Sequence, residues 1–317
     1  MVASAAMLGA GCSASGGSSS AATPAGPPEK ADITVYAVPT LDEAGLYIAQ
    51  QKGIFARYGL HVTIKPIISS ADVLAQQIAG KGVDISAGNY VSYILAASKG
   101  AKLKILAAGS VMGPNIQMLM VSAHSHIATV GQLKGLPIAI NAPRNIGTLL
   151  VDSIFNNDAI LPSNQNVKFS IMNFPDMAKA LQTGQVAAAW MPEPFVTEAE
   201  EKTGAQPLAD ADAGTTQNLP IGGYVATAAW VKKYPRTAAA FKAAILQGQE
   251  IANTNVAAVQ QAVTKYAFVP AETAPIVAAP SYPLKLDPIS IQRVANLMLQ
   301  FGILPANYDT AQMTSSG

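Results

Sequence analysis

Short apolar runs alternate with amphipathic stretches along the chain from residue 31 onward. The first run, Ile33–Val38, has the pattern of a buried β-strand, and the stretch after it places Leu46, Ala49 and Ile54 on one face of a helix. The same alternation continues to about residue 113. Because a strand–helix–strand rhythm is typical of parallel strands joined by helical crossovers, it predicts a mostly parallel sheet with helices on both faces.

A second set of strand and helix patterns begins near residue 117 and ends near residue 223. Its predicted strands cover residues 117–123, 136–142, 167–174 and 186–191. From Pro235 to Phe301 the pattern becomes almost entirely helical and rich in alanine, with breaks at prolines. The pattern therefore predicts two α/β lobes and a helical C-terminal segment that packs back onto one of them.

The composition limits the classes of partner. The chain of 317 residues is 50% hydrophobic and 12% charged, with 20 basic and 19 acidic side chains. This length suits two domains of roughly 100–200 residues each. The near-neutral charge gives no reason to expect nucleic acid or an anionic membrane surface as a partner. No apolar run reaches the roughly 18 residues of a transmembrane helix, so none is predicted.

The one cysteine, Cys12, lies in a segment with features of an export and anchoring signal. Residues 2–10 are uncharged and mostly small or apolar, as at the end of a signal peptide, and residues 8–12 (LGAGC) are similar to a lipobox, whose cysteine is acylated. The Ser-, Gly- and Pro-rich residues that follow predict a flexible spacer. We therefore predict a signal and linker region over residues 1–30 with a lipid anchor at Cys12; the alternative is a free cysteine in a disordered tail.

Little in the sequence is arranged for covalent chemistry or metal binding. A single cysteine excludes an internal disulfide and a zinc site of paired cysteines. No nucleophile elbow, HExxH, Walker A or GxGxxG motif is present. His124 and His126 would point the same way on an extended chain and suit a metal, but a solvated loop pair is the simpler interpretation. We predict no catalytic residue, metal or cofactor, and a protein that is not an enzyme.

Polar residues at the ends of predicted strands are the candidates for ligand binding. In parallel α/β sheets, ligands bind beside the carboxyl ends of the strands. Such positions fall at residues 39–42, 88–90, 142–148, 190–195 and 221–224. From these segments the predicted ligand-binding residues are Thr40, Asp42, Asn89, Tyr90, Arg144, Asn145, Gly147, Thr148, Trp190, Glu193 and Tyr224.

Two of these segments suggest specific chemistry. At residues 142–148 (APRNIGT), Asn145 would cap the next helix and leave its first N–H groups free, while Arg144 would add a bidentate donor for an anion. The alternative is that Asn145 is only a cap and Arg144 points to solvent. At residues 190–195 (WMPEPF), Trp190 would supply an apolar wall and Glu193 an acceptor for a ligand amine or amide. Trp190 could equally belong to the core between the lobes.

Five segments of the chain match one known family in sequence and order. They are AGLYIAQQKGIFARYGLHVTI, IAGKGVDISAGN, LKGLPIAI, ALQTGQVAAAWMPEPF and WVKKYP. The chain resembles the substrate-binding proteins of ABC importers, in the group that binds nitrate, sulfonates, taurine and thiamine pyrimidines. The resemblance implies a periplasmic-binding-protein type II fold with a first lobe at residues 31–113 and 224–317 and a second lobe at residues 114–223. It also implies that two crossover strands join the lobes and that the ligand is held between the two lobes.

The resemblance further implies a function and its partners. The expected protein is an extracytoplasmic, membrane-anchored lipoprotein and a monomer. It would capture a small anionic or zwitterionic ligand and deliver it to an ABC permease and its ATPase. Ala187 stands where the family often has aspartate, which weakens inference about ligand identity. Two alternatives use the same fold: a biosynthetic enzyme for pyrimidine or menaquinone precursors, and a sensor domain that presents its ligand to a receptor. The signal, lipobox and spacer favour a binding protein over a cytosolic enzyme. The sequence does not distinguish a binding protein for import from a sensor domain.

Overall fold

Strands and helices alternate along the described chain, as the pattern of apolar residues predicts. The computed structural model describes residues 26–160, 167–267 and 269–314, so Cys12 and the predicted signal lie outside the described residues. The strands are β1 (Asp32–Ala37), β2 (His61–Pro66), β3 (Ile85–Asn89), β4 (Leu103–Ala108), β5 (Gln117–Val121), β6 (Pro137–Ile140), β7 (Lys168–Ile171), β8 (Ala188–Pro192), β9 (Gln206–Asp210) and β10 (Gly222–Thr227).

The helices cover the faces of the sheets and form most of the C-terminal third. They are α1 (Ala44–Gln51), α2 (Ile54–Arg57), α3 (Ser70–Ile78), α4 (Tyr90–Ser98), α5 (Ile146–Asn157), α6 (Phe174–Gln182), α7 (Phe195–Thr203), α8 (Ala228–Lys233), α9 (Pro235–Thr254), α10 (Val256–Tyr266), α11 (Pro288–Gln300) and α12 (Ala311–Thr314). Within the described ranges, none of these helices has the length and apolar character that a membrane span requires.

The strands form two sheets of the same topology. One has the order β2-β1-β3-β10-β4 and the other the order β7-β6-β8-β5-β9. In the first sheet β10 runs antiparallel to both neighbours, and in the second sheet β5 does so, while the other strands share one direction. The predicted α/β fold with two mostly parallel sheets is confirmed. We call each sheet, with the helices packed on it, a lobe.

Two chain segments connect the lobes and pair with each other. One runs from β4 to β5 and the other from β9 to β10. Gly109 N–H donates to the carbonyl oxygen of Gly222 at 2.9 Å, and Met112 N–H donates to that of Leu219 at 2.9 Å. Because the connections are short and hydrogen-bonded side by side, they form one narrow crossing between the lobes, which we call the hinge.

Helices α1 and α9 pack closely on the outer face of the first sheet. A Cβ placed at Gly248 would lie 2.1 Å from the carbonyl oxygen of Gly45, so only glycine allows this approach. Phe55 stacks on Phe241, with 5.6 Å between ring centroids, and both rings are buried. This packing fixes the N-terminus of α1, and with it the turn that enters the cleft between the lobes.

The C-terminal helices pack back onto the first lobe and reach the hinge. Helix α11 contacts α4, and α12 contacts β4. The guanidinium of Arg293 donates to the carbonyl oxygens of Thr215 and Gln217, at 2.7 and 2.5 Å. The C-terminal segment therefore ties the second connection to the first lobe.

Three local features differ from the sequence pattern. The apolar pattern after the first strand predicts one helix over residues 41–59, but the helix is interrupted at Gly53, which has a φ of +64°. The sequence pattern predicts Ser70 as the N-cap of α3, but Ser69 is the cap, and its hydroxyl oxygen accepts from the N–H of Ala71 at 3.3 Å. Strand β9 was not predicted, because its sequence QPLAD is short, half-exposed and contains a proline.

Candidate ligand-binding cleft

A cleft lies between the lobes, at the edge of each sheet where most strands end. We call it the inner cleft. Residues from both lobes line it. The first lobe, with the start of β10 and the residue before it, contributes Val38, Thr40, Asp42, Glu43, Ser70, Gly88, Asn89, Ile221 and Gly222. The second lobe contributes Gln117, Asn141, Ile146, Phe174, Trp190 and Pro192. Since β5 and β10 run against their neighbours, their first residues reach the same edge as the last residues of the other strands. The topology thus converges on this one space.

Two neighbouring acids, Asp42 and Glu43, dominate the wall of the first lobe. They lie on the single helical turn Leu41–Glu43 that follows β1. The carboxylate of Asp42 accepts hydrogen bonds from the hydroxyls of Ser110, at 2.6 Å, and Thr40, at 3.1 Å. Tyr282 fixes the turn, because its hydroxyl donates to the carbonyl oxygen of Leu41 at 2.8 Å.

Burial changes the proton affinity of both acids. It raises the pKa of Asp42, against the effect of the Ser110 and Thr40 hydrogen bonds. Burial and the charge of Asp42 together raise the pKa of Glu43 to about 8. Among the described residues that line the inner cleft, none is lysine, arginine or histidine. The titratable groups among these lining residues are therefore acids, and burial favours their neutral form.

Trp190 and Gln117 form the facing wall on the second lobe. The Trp190 ring is 1% exposed and meets Phe174 edge-on, with 5.6 Å between centroids. A Cβ at Gly147 would lie 2.6 Å from Cε3 of Trp190, so glycine leaves the space that this ring occupies. Trp190 thus serves in both ways that the sequence left open, as a wall of the cleft and as part of the core.

Several buried polar atoms around the cleft have no hydrogen-bond partner. Within the described residues these atoms are Glu43 Oε2, Gln117 Oε1, Thr148 Oγ1, Trp190 Nε1, the Tyr224 hydroxyl and Gln249 Oε1. Of these residues, Glu43, Gln117 and Trp190 line the inner cleft. A buried polar group without a partner costs about 1–3 kcal/mol. A ligand that donates to the two oxygens and accepts from the Trp190 N–H would remove that cost.

The structure brings Thr40, Asp42, Asn89 and Trp190 of the predicted residues together at the inner cleft. Asn145 lies behind it. Its side chain caps α5 by accepting from the Gly147 N–H at 3.0 Å, and its amide donates to Asn141 Oδ1 at 2.7 Å. Asn145 therefore orients Asn141, which does line the cleft.

The other predicted residues do not line the inner cleft. Arg144 is exposed, has a φ of +53°, and its guanidinium donates to the carbonyl oxygen of Ile303 at 2.5 Å. The arginine therefore faces the C-terminal segment, and the anion loop predicted around it is not assembled at the cleft. Gly147, Thr148, Tyr90 and Tyr224 are buried behind the lining residues.

Glu193 joins the two lobes instead of lining the cleft. Its carboxylate accepts from the N–H and hydroxyl of Thr197, at 3.1 and 2.7 Å, and from the N–H of Ala278 at 3.3 Å. Its carbonyl oxygen accepts from the N–H of Leu41 at 3.1 Å. Burial raises the pKa of Glu193 to about 7. Together with a 3.1 Å bond from Asn141 Nδ2 to the Ile68 carbonyl oxygen, these contacts hold the lobes in a closed arrangement.

The inner cleft is narrow in this closed arrangement. The space between its atoms is about 430 Å³, of which about 40 Å³ can hold the centre of a water molecule. One water needs about 10–15 Å³ of such space. The cleft therefore has room for a few waters or for one small polar group.

A family model described as the NMT1-like family matches residues 26–267. This match covers more than half of the chain. The chain belongs to the NMT1-like family. No functionally curated protein matches the sequence.

Solved structures share the fold of this NMT1-like chain. The periplasmic aliphatic sulphonate-binding protein SsuA of Escherichia coli is 17% identical, with a TM-score of 0.72 over 91% of this chain and 93% of that one. The alkanesulfonate-binding protein SsuA of Xanthomonas axonopodis pv. citri, bound to MOPS, is 17% identical, with a TM-score of 0.75 over 90% and 99%. The periplasmic nitrate-binding protein NrtA of Synechocystis PCC 6803 is 16% identical, with a TM-score of 0.74 over 90% and 85%. The predicted resemblance to this group is confirmed in family and fold.

Sequence reasoning missed four polar residues of the NMT1-like cleft: Glu43, Ser70, Gln117 and Asn141. Glu43 directly follows Asp42, and Asn141 directly follows β6, so the strand-end rule already pointed to their neighbourhood. Gln117 is the first residue of β5, and it reaches the cleft only because this strand is antiparallel to β8. No local signal in the sequence shows that direction.

Proposed function

We propose that this protein is a solute-binding protein that closes its two lobes around one small ligand and delivers it to an ABC importer. The observation that carries the proposal is the set of buried polar atoms without a hydrogen-bond partner on Glu43, Gln117 and Trp190, residues that line the inner cleft from both lobes. The sulfonate- and nitrate-binding proteins with the same fold support it. No step of covalent chemistry is needed for this function.

The ligand would bind by differential contact with the two lobes. In an open state, Glu43 would be exposed to water on one lobe and Trp190 and Gln117 on the other. A ligand that contacts both walls binds the closed state better and shifts the population by that difference in affinity. The paired connections supply the hinge, and the bonds of Glu193 to Leu41 and Ala278 form only when the lobes meet. A permease would then dock on the closed form.

The chemistry of the cleft favours a ligand head that donates hydrogen bonds. Carboxyl and amide oxygens of Asp42, Glu43 and Gln117 can accept hydrogen bonds, and an ammonium or amidinium group would favour the ionised form of the two acids and form charge-assisted bonds with them. The sequence led us to expect an anionic or zwitterionic ligand held by Arg144, but Arg144 bonds to Ile303. We therefore assign the cleft to an amine, an amidine, an amino-heterocycle or the ammonium end of a zwitterion.

Anchoring at the membrane is a separate part of the proposal and depends on the sequence of residues 8–28. We propose that Cys12 is acylated and that the following spacer holds the two lobes outside the cytoplasm, beside the permease and its ATPase. The test is fractionation of cells that express the chain or its Cys12→Ser variant. The expected result is membrane association that the variant loses; equal partition of both proteins would contradict the anchor.

A thermal-shift screen of the full chain tests the binding function. The panel contains alkylamines, amidines, aminopyrimidines and zwitterionic amino acids, with nitrate and alkanesulfonates as anions. A ligand present at 100 times its dissociation constant adds about 2.7 kcal/mol to stability. We expect stabilisation by members of the donor classes. Stabilisation by anions alone would overturn the assignment of the head group, and no shift with any compound would contradict the binding function.

A further inference from the structure

An apolar groove lies at the mouth of the inner cleft, between the lobes. We call it the mouth groove. Its lining includes Val38, Pro39 and Ile68 from the first lobe and Phe174, Pro175 and Phe195 from the second. Apart from Asn173, each lining residue in the described chain is apolar. The groove exists only while the lobes are together, because the loops after β1, β2 and β7 and the start of α7 build it jointly.

The mouth groove continues directly from the inner cleft. Val38 and Phe174 line both spaces. The Phe174 ring packs on Trp190 on the cleft side and stacks on Phe195 on the groove side, at 5.6 and 5.3 Å between centroids. A molecule whose polar end lies between Glu43 and Trp190 would therefore pass beside Phe174 into the groove.

The two spaces differ in size in a way that calls for a two-part ligand. The mouth groove has about 320 Å³ in which the centre of a water molecule fits, against about 40 Å³ in the inner cleft. Ligand sites are commonly about 300–1,000 Å³, largely apolar, with a few polar groups that fix orientation. The inner cleft alone is too small for this description, whereas the cleft and groove together meet it.

Water is a poor occupant of the mouth groove. The side chain of Ile68 is 54% exposed, although its carbonyl oxygen is fixed by Asn141 across the cleft. When an apolar ligand covers apolar surface that was in contact with water, binding becomes more favourable by about 25 cal/mol for each Å² covered. A ligand that covers Ile68 and the faces of Phe174 and Phe195 would also touch both lobes and would favour closure.

We propose that the mouth groove binds an aliphatic or aromatic extension of the same ligand whose polar head enters the inner cleft. The ligand class is then a small amphiphile with a hydrogen-bond-donating head and an apolar tail of several carbons. This inference rests on the proposed function, since it needs a ligand in the cleft. It adds that the tail, and not the head alone, determines affinity.

Calorimetry with two homologous series on the full chain tests the proposal. The probes are n-alkylamines from methylamine to n-hexylamine with benzylamine, and the n-alkanesulfonates of the same lengths. The proteins are the wild type, Ile68→Ser, and the control Val256→Ser, whose valine is 63% exposed at the start of α10 and lines neither space. We expect about fourfold tighter amine binding per added methylene in the wild type and in the control, as hydrophobic transfer gives. Ile68→Ser should flatten this gain.

The outcomes separate the groove from the function. Amine binding that does not depend on chain length would overturn the groove and leave the binding function standing. If Ile68→Ser binds longer amines as much more tightly as the wild type does, the proposed role of the groove is also overturned. If that variant then lost import, the groove would be a contact for the permease. If neither series binds, the head assignment fails, and titration with the neutral apolar dye Nile red decides the groove. Dye binding that is lost in Ile68→Ser but kept in Val256→Ser would support an apolar binding site in the mouth groove. Any other pattern of dye binding would overturn that site.

Discussion

Substitution of Glu43 by glutamine should change the pH dependence of stability in a defined direction. The pKa of Glu43 is about 8 in the folded chain, against 4.5 for a free glutamate, because the carboxyl is buried beside Asp42. Between these two pH values the folded chain keeps the proton and the unfolded chain releases it. The contribution of Glu43 to stability is therefore complete below about pH 4.5 and is lost as the pH rises to about 8.

The magnitude follows from the same two pKa values. At about 1.4 kcal/mol per pKa unit, the full effect is about 5 kcal/mol, of which about 3 kcal/mol falls between pH 5 and pH 8. Glutamine has nearly the same shape and does not titrate, so Glu43→Gln should remove this part of the pH dependence. At pH 8 the variant without ligand should be more stable than the wild type by about 3 kcal/mol, although it can no longer supply a negative charge to a cationic ligand.

Urea unfolding at pH 5, 6, 7 and 8 measures this effect for both proteins. The other buried acids, Glu193 and Asp152, are present in both chains, so the difference between the two profiles isolates Glu43 and its coupling to Asp42. We expect the profiles to converge toward pH 5 and to separate as the pH rises. Parallel profiles, or a variant that is less stable at pH 8, would refute a neutral Glu43 in the unliganded cleft.

Three further substitutions test single contacts around the cleft. Arg144→Ala should leave ligand affinity unchanged in calorimetry and lower stability by about 1 kcal/mol, because it removes only the bond to Ile303; a lost affinity would restore the anion loop. Gly147→Ala should displace the Trp190 ring, cost about 1–3 kcal/mol in urea unfolding and weaken binding; wild-type stability and affinity would contradict the tight fit. Glu193→Ala should leave the Thr197 and Ala278 donors unpaired, cost about 1–3 kcal/mol and weaken binding by loosening closure; an equal affinity would show that these bonds do not support the closed state.

The sequence predicts the fold well because strands and helices leave local periodic patterns. β1, α3 and α5 each bury one face or one run of apolar residues, and such patterns depend only on neighbours in the chain. β9 could not be predicted in this way, because its residues are exposed or half-buried and Pro207 interrupts the strand pattern. The reversed direction of β5 and β10 is set by the path between the lobes, which no local pattern records.

The cleft could be predicted only in part, because side-chain direction depends on distant contacts. Thr40 and Asp42 were found because strand ends meet at one edge of a parallel sheet. Arg144 has the residue type for an anion site, yet its positive φ and its bond to Ile303, 159 positions away, direct it outside. Glu193 likewise finds its partner at Ala278, 85 positions away.

The distance between the two lobes, measured with and without ligand, tests the central claim most directly. Spin labels on Gln76→Cys in α3 and Lys179→Cys in α6, in a Cys12→Ser background, would report it by double electron–electron resonance; both positions are exposed, one on each lobe. We predict a broad or longer distance distribution without ligand. The most stabilising compound of the screen should collapse it to one short distance. An unchanged distribution at saturation would contradict closure around a bound solute.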